Sequence, residues 1–417
     1  MAQLSDDCFA FGGTLLSVDE ALALIERRVT PVVEAETVPL GDALGRILAR
    51  DLIAAMDVPP HANSAVDGFA IAHADLLPER ETVLPVTGRA AAGHPLARPI
   101  ERGEAIRIFT GAPMPEGADT VMMQEDCVFA DGRVTMKPGL KPGANRRRAG
   151  EDVEKDTVAL PAGRRLKPAD LGLAAALGRD RVTVFEPLRV ALLSTGDEVR
   201  EPGTVLPPGA IYDANRVMLA SLLRLSGCRV SDLGIRPDRE AALADTLAKA
   251  AVEHDLIITS GGVSTGEEDH VRAAIERLGR LDFWRLAIKP GRPVALGQVK
   301  GVPLIGLPGN PVAAALTFAI IGRPLILRLA GGAGEAPALF RVRAEFAYKK
   351  RPGRREYVRA SLDRAGDVVT AYKYPKDGAG ILSSIVNSDG FVIIDEAADG
   401  LQPGSMVDFL PYAEILG

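Results

Sequence analysis

Between residues 187 and 330 short apolar runs alternate with amphipathic ones, and this alternation most restricts how the chain can fold. Leu188-Arg-Val-Ala-Leu-Leu reads as a strand, Ala214 to Leu225 as a helix closed near Gly227, and Cys228 to Ile235 as a second strand. A helix follows over Arg239 to Glu253, then a strand at Leu256 and a helix after Asp269. A strand over Val302 to Leu307 and a helix after Pro308-Gly-Asn-Pro complete the series. Such alternation predicts a doubly wound, mostly parallel sheet with helices on both faces. Ligands of these sheets bind beyond the carboxyl ends of the strands. Three loops are expected there: Ser194-Thr-Gly-Asp-Glu198, Thr259 to His270, and Gly306-Leu-Pro-Gly-Asn-Pro311.

The middle loop, Thr259-Ser-Gly-Gly-Val-Ser-Thr-Gly-Glu-Glu-Asp-His270, carries the densest chemistry. Its glycines, among them Gly261 and Gly262, let a ligand approach the main chain closely. Backbone donors at a helix N-terminus suit an anion, and the carboxylates that end the loop suit a hydrated divalent cation. Together they point to a phosphate-bearing or oxyanion substrate handled with magnesium. A plain strand-to-helix turn capped by Asp269 is the competing reading.

Around this segment the chain changes texture. Residues 1–50 and 155–186 read as a discontinuous helical unit, with Ser17 as a helix cap and a second short helix at Pro39-Leu-Gly-Asp-Ala-Leu-Gly-Arg-Ile-Leu. Residues 51–154 hold short β-type runs separated by Gly and Pro, an inserted β-rich domain. After Gly331-Gly-Ala-Gly, strands recur over Leu339 to Tyr348, Glu356 to Leu362, Val368 to Tyr374, Phe391 to Asp395 and Met406 to Leu410. They predict a small C-terminal β-barrel-like domain over 335–417. The fold class is therefore multidomain α/β plus β, with a helical linking domain.

Composition excludes several classes of function. A chain of 417 residues with 47% hydrophobic and 25% charged residues is globular, with no disorder signature. A net charge of −6 argues against non-specific nucleic-acid binding. The cysteines Cys8, Cys127 and Cys228 are scattered, which fits neither a disulfide framework nor a metal spacing and suggests a reducing, cytoplasmic setting. The N-terminus lacks the order of a signal peptide. The longest apolar run, Val312 to Ile321, is too short to span a membrane. None of the five histidines pairs at zinc spacing.

Several further residues fall where chemistry is possible. Glu198, with Ser194, Thr195 and Gly196, closes a strand and can hold a metal or accept a proton. Asp238 precedes a helix and reads as its N-cap. Arg285-Leu-Ala-Ile-Lys-Pro-Gly-Arg292 presents cations at a Pro-Gly break, suited to phosphate or molybdate-like oxyanions or to a solvated turn. Asp67 sits in an Asp-Gly turn, and Asn145-Arg-Arg-Arg-Ala-Gly-Glu-Asp152 sets three guanidinium groups beside two carboxylates.

Taken in order, seven motifs resemble the molybdopterin molybdenumtransferase family, whose enzyme is also found fused into gephyrin. They are Asn63-Ser-Ala-Val-Asp-Gly-Phe-Ala, Ile108-Phe-Thr-Gly-Ala-Pro-Met-Pro, Arg147-Arg-Ala-Gly-Glu-Asp, Leu193-Ser-Thr-Gly-Asp-Glu, Ser260-Gly-Gly-Val-Ser-Thr-Gly-Glu-Glu-Asp, Ala287-Ile-Lys-Pro-Gly-Arg-Pro and Leu307-Pro-Gly-Asn-Pro. The resemblance spans nearly the whole chain. It implies transfer of molybdenum from molybdate to adenylylated molybdopterin with magnesium-assisted release of AMP, and residues 187–330 as the molybdopterin-binding domain. It implies a homodimer whose cleft is shared between subunits. The molybdopterin adenylyltransferase and other cofactor-biosynthesis proteins are expected partners, with no nucleic acid and no membrane.

Carried onto this sequence, the resemblance makes Asp67, Asp152, Glu198, Asp238, Asp269 and Lys289 the catalytic set, with Glu198 and Asp269 as metal ligands. Around the substrate it places Thr110, Ser194, Thr195, Gly196, Gly261, Gly262, Ser264, Arg285, Arg292, Pro308, Gly309, Asn310 and Arg359. Three departures stand out. Arg285 occupies a position where lysine is common, Val66 replaces a methionine beside Asp67, and Ala379 replaces a serine that Ser383 or Ser384 would have to substitute. Two rivals remain: an enzyme that adenylylates molybdopterin, which would lack the inserted and terminal β-domains, and a non-catalytic scaffold.

Overall fold

A computed structural model describes Leu4, Cys8, Phe9, 15–261, 270–291, 293–334 and 336–416, with Phe283 described by its backbone. At its centre is a six-stranded sheet in the order Arg229–Arg236, Arg189–Thr195, Leu256–Ser260, Val302–Leu307, Pro293–Val299, Gly279–Arg285. The first four strands are parallel and the last two antiparallel. The parallel part matches the alternation in the sequence. The antiparallel pair was not expected, because no helix separates those strands from their neighbours.

Alternate residues of the central strands feed two separate cores, as the two-residue period of a strand requires. Val190, Leu192, Leu256, Ile258, Ile305 and Leu307 face one helical layer. Ala191, Leu193, Ile257 and Leu304 face the other, against Leu243, Leu247, Val271 and Ile275. With both faces buried, the middle strands carry continuous apolar runs, Val190 to Leu193 and Leu256 to Ile258, that give way to hydroxyl residues at their carboxyl ends. All four parallel strands consequently end on one rim, at Arg236, Thr195, Ser260 and Leu307.

The helix after Asn310 is longer than the sequence suggested. It runs over Pro311–Leu329, 19 residues, through a π-helical stretch at Phe318–Gly322. Pro324 has no N–H to give the preceding turn, and the widened turn before it lets the helix continue. By length and composition this helix resembles a membrane span, yet 83% of the span is buried inside the fold. Leu316, Phe318, Ile321, Leu325 and Leu329 pack into the main core, so it is a core helix.

The N-terminal helix Val18–Arg28 has the expected Ser17 cap, reinforced by Glu20, whose carboxylate accepts from Ser17 N at 2.9 Å. Its apolar face, Ala21, Leu24 and Ile25, joins the core of the central sheet rather than the helical unit expected over 1–50 and 155–186. That unit is itself less helical than predicted. Ala35–Pro39 is a strand paired with Arg181–Phe185, and Leu52–Ile53 pairs with Val158–Leu160. The second helix expected after Pro39 shrinks to one 3₁₀ turn, Leu40–Asp42, because Gly45 turns the chain away with φ +74°. Pro168–Ala176 is the helix of this unit.

Six strands between Gly68 and Met136 form a mostly antiparallel sheet, as the β-type runs predicted, and Asn63–Ser64 pairs separately with Arg146–Arg147. The C-terminal strands close into a barrel, since Arg355–Asp363 pairs with both Thr370–Lys373 and Gly390–Ile394. Ile288–Lys289 then runs parallel to Arg355–Glu356, which docks the barrel on the central sheet.

Candidate active site

Where the parallel strands end, a cleft of about 300 Å³ opens between Ser194, Thr195, Glu198, Asn215, Gly261 and Gly309. Close approach of its loops requires glycine. A Cβ on Gly261, at φ +81°, would sit 2.9 Å from the Thr195 carbonyl oxygen. One on Gly196, at φ +141°, would meet the Glu198 carboxylate at 2.8 Å, so the turn lets that carboxylate fold back over the rim. The hydroxyls of Ser194, Thr195 and Thr259 are buried and have no hydrogen-bond partner among the described residues. Ser194 and Thr195 line the cleft, so their orphaned hydroxyls are free to bind a ligand there.

Asn215 ties the loops together. Its side-chain amide donates to Ser260 Oγ at 3.0 Å and to the Gly309 carbonyl at 2.8 Å. The next residue, Arg216, is buried among carboxylates from three segments: Asp213 at 2.9 Å, Asp232 at 2.5 Å and Glu201. Asp213 also caps the helix, accepting from Arg216 N at 3.0 Å. Sequence reasoning overlooked both Asn215 and Arg216. The run Asp213-Ala-Asn-Arg216 held the signal, since a capping Asp followed by polar residues on the buried side of a helix implies partners.

Asp238 was expected to cap the following helix, and it does not. Arg239 occupies the cap position without a side-chain hydrogen bond, and Asp238 Oδ1 is buried with no partner among the described residues. Burial raises the Asp238 pKa above the ordinary carboxylate value; His270 opposes the shift and the neighbouring Asp197 and Glu198 add to it. Asp238 and Glu198 therefore belong to one acidic cluster at the rim. Asp269, Gly262, Ser264 and Arg292 lie outside the described residues. Among the described residues, no three His, Cys, Asp or Glu side chains come together to hold a metal by themselves.

A second cleft, of about 690 Å³, lies where the barrel meets the central sheet. Its lining includes Lys289, Lys349, Arg354, Arg359 and Lys373. Gly291, at φ +88°, holds the Lys289 turn against the core helix, where a Cβ would come within 2.8 Å of Thr317 Oγ1. Arg359 is buried, donates to the Lys376 carbonyl at 3.3 Å, and keeps an Nε that has no partner among the described residues. The loop Gly378-Ala-Gly380 separates the two clefts, and the Ala379 carbonyl accepts from Val312 N at 2.9 Å at the start of the core helix. Ser384 bonds to the Ile381 carbonyl, and neither it nor Ser383 lines either cleft, so they do not replace the hydroxyl absent at Ala379.

The remaining predicted residues scatter. Asp67 accepts from Thr110 N and Thr110 Oγ1, each at 2.8 Å, and these bonds hold its carboxyl below the ordinary range. Val66 is half-buried against Ala70 and Ile106, so the smaller side chain is accommodated by packing. Asp152 is exposed, and its N–H donates to the Val58 carbonyl. Neither Asp67 nor Asp152 lines either cleft. Arg285 is exposed on the edge strand and Pro308 lies in the loop beside Gly309; neither lines a cleft.

Three family models match the chain in succession. "MoeA N-terminal region (domain I and II)" covers residues 16–178, "Probable molybdopterin binding domain" 191–328 and "MoeA C-terminal region (domain IV)" 341–412. A protein of Haemophilus influenzae named molybdopterin molybdenumtransferase is 38% identical over 407 residues, 97% of this chain and all of that one. The chain belongs to the molybdopterin molybdenumtransferase family. A Mycobacterium tuberculosis protein named molybdopterin molybdenumtransferase 2 shares 38% identity over 81% of this chain and 86% of its own. Among solved structures, a molybdopterin biosynthesis moeA protein from Pyrococcus horikoshii superposes with a TM-score of 0.82 at 29% identity, over 96% of this chain and all of that one. Membership in this family accounts for the multidomain plan, its mixed sheets and its closed C-terminal barrel.

Proposed function

We infer that the chain inserts molybdenum into molybdopterin during cofactor biosynthesis, taking molybdate and adenylylated molybdopterin as substrates and releasing AMP. The observation that carries this reading is the pair of clefts divided by one loop. On one side lie orphaned hydroxyls and an acidic rim, on the other a set of lysines and arginines. Cations and loop donors suit the oxyanions of both substrates.

The donor set fits magnesium. It is all oxygen, it includes the orphaned Asp238 Oδ1 nearby, and Mg²⁺ keeps several waters rather than needing a complete protein cage. Glu198 and Asp269 would hold the ion. When bound, it supplies charge stabilisation to a transferring phosphoryl group. The chain's own contribution is positional. Ser194, Thr195 and the glycine loops hold the phosphates, while Lys289 and Arg359 hold the oxyanion.

Asp67 and Asp152 lie away from both clefts of their own chain, which favours a homodimer in which they reach the partner's cleft. Exchange of substrate with the molybdopterin adenylyltransferase is the expected partnership. The test is purified protein incubated with adenylylated molybdopterin, molybdate and magnesium. Molybdate-dependent AMP release supports insertion. Consumption of ATP would instead support adenylylation, and inertness a scaffold.

A further inference from the structure

The short strand Ile288–Lys289 leaves the central sheet and pairs with Arg355–Glu356 of the barrel. The pairing sets Lys289 against two barrel side chains. Lys289 Nζ lies 3.1 Å from Glu356 Oε2 and donates to the Tyr348 hydroxyl at 3.2 Å. The same hydroxyl donates to Glu356 Oε2 at 2.7 Å, so three groups close a triangle. The Glu356 side chain is 3% exposed, whereas that of Lys289 is 50% exposed and reaches the cleft. On the ring of Tyr348 lie two ammonium groups, Lys289 at 5.6 Å and Lys373 at 5.9 Å.

Electrostatics give this triangle a purpose. Lys289, Lys349, Arg354, Arg359 and Lys373 line one cleft. Crowded like charges favour loss of a proton from the lysines, and partial burial adds to that pressure. The Asp377 carboxylate on the cleft wall is bound to Lys373 at 2.9 Å. Glu356 is the carboxylate bonded to Lys289, and a buried carboxylate of this kind is stable when paired and hydrogen-bonded. The face of Tyr348 adds a cation–π attraction for both ammoniums.

We propose that Glu356, with Tyr348 as its relay, is the positioning residue that keeps Lys289 protonated and fixed for an incoming oxyanion, so that the barrel sets the anion affinity of the cleft. The proposal rests on reading this cleft as the oxyanion site of the insertion reaction. Burial works against the Lys289 charge, but the bonds to Glu356 and Tyr348 outweigh it and hold its pKa above the ordinary lysine value. Without the carboxylate, only Tyr348 remains bonded to Lys289 against burial and the neighbouring cations, and Lys289 loses its proton at lower pH.

The experiment compares the full chain with Glu356→Gln, Glu356→Asp and Tyr348→Phe. Competitive acylation of Lys289 across pH, read by peptide mass spectrometry, reports its titration without reference to turnover. The half-labelling pH should fall in Glu356→Gln, return towards wild type in Glu356→Asp, and fall less in Tyr348→Phe. Equilibrium binding of molybdate should weaken roughly tenfold in Glu356→Gln at alkaline pH and by much less near pH 6, where the lysine stays protonated. In turnover the loss should appear in KM for molybdate, with kcat within about twofold. An unchanged labelling midpoint in folded Glu356→Gln overturns the proposal; if that variant does not fold, an unchanged midpoint in Tyr348→Phe does so. If no variant, nor the wild type, releases AMP with molybdate, the insertion reading fails, while labelling and binding still judge Glu356.

Discussion

Asn215 holds Ser260 through a buried 3.0 Å hydrogen bond, and its second amide hydrogen reaches the Gly309 carbonyl at 2.8 Å. One side chain thus fixes the ends of two neighbouring parallel strands around the strand-end cleft. Asn215→Ala leaves both acceptors without that donor. The expected cost is about 1–3 kcal/mol of stability. Loosening the two loops should also lower kcat/KM by roughly 10- to 100-fold, because small displacements of binding groups are amplified in the rate. Thermal unfolding and steady-state AMP release measure the two effects. Loss of stability with unchanged kcat/KM would mean that the bridge does not position substrate.

Asp238 should show function opposed to stability. Its folded-state pKa is raised from the ordinary 3.8, mainly by burial, so the folded state binds the proton more tightly than the unfolded chain. Ionisation of Asp238 therefore destabilises the fold. The penalty is absent below pH 3.8, grows as pH rises towards the folded pKa, and is complete above it. Asp238→Asn should unfold at a higher temperature than wild type at pH 7, and the difference should vanish in acid. Turnover should fall by about 100-fold or more if the carboxylate serves proton transfer or substrate orientation. A variant that is both less stable and fully active at neutral pH contradicts this account.

What the sequence made legible, and what it hid, follows from the range of each interaction. Strands buried on both faces are continuous apolar runs, so Arg189–Thr195, Leu256–Ser260 and Val302–Leu307 were readable from composition alone. The antiparallel pair Gly279–Arg285 and Pro293–Val299 was not, because the segment between its strands leaves the sheet to pair with the barrel at Ile288–Lys289, a partner far away in the chain. The Ser17 cap was readable because its partner is three residues away. The Asp238 cap failed although its sequence signal is equally good, since the helix begins one residue later, with Arg239 at the cap position, and leaves the Asp238 carboxylate buried. Pairings such as Lys289 with Glu356 or Asn215 with Gly309 join residues far apart in the chain, and no local pattern announces them.

Glu104 anchors the inserted sheet and should make it sensitive to acid. Arg98 grips its carboxylate at 2.5 and 2.9 Å, Glu101 N donates at 2.6 Å, and the Thr87 hydroxyl also donates. The bonds from Arg98 act first and outweigh burial, taking the Glu104 pKa down to about 2. A depressed carboxylate pKa stabilises the fold above the unfolded value, 4.5, and that contribution disappears as pH falls through about 2. Glu104→Gln should therefore cost about 1–3 kcal/mol at pH 7, Arg98 being partly exposed. The gap between variant and wild type should close between about pH 4.5 and about pH 2 in pH-dependent thermal melts. A gap independent of pH would trace the loss to packing.

Asp67 and Lys289 should complement each other between subunits. Asp67 is held by Thr110 in the inserted sheet and lines neither cleft, whereas Lys289 lines the cationic one. In a homodimer with shared clefts, each site takes Asp67 from one subunit and Lys289 from the other. Asp67→Ala and Lys289→Ala homodimers are then inactive at both sites. A mixed dimer has one site carrying both substitutions and one carrying neither. Random assortment makes about half the dimers mixed, so co-expression should restore about a quarter of wild-type activity per site. Purifying the mixed species through two affinity tags should raise this to about half. No recovery in an isolated mixed dimer would mean that each cleft is completed within a single chain.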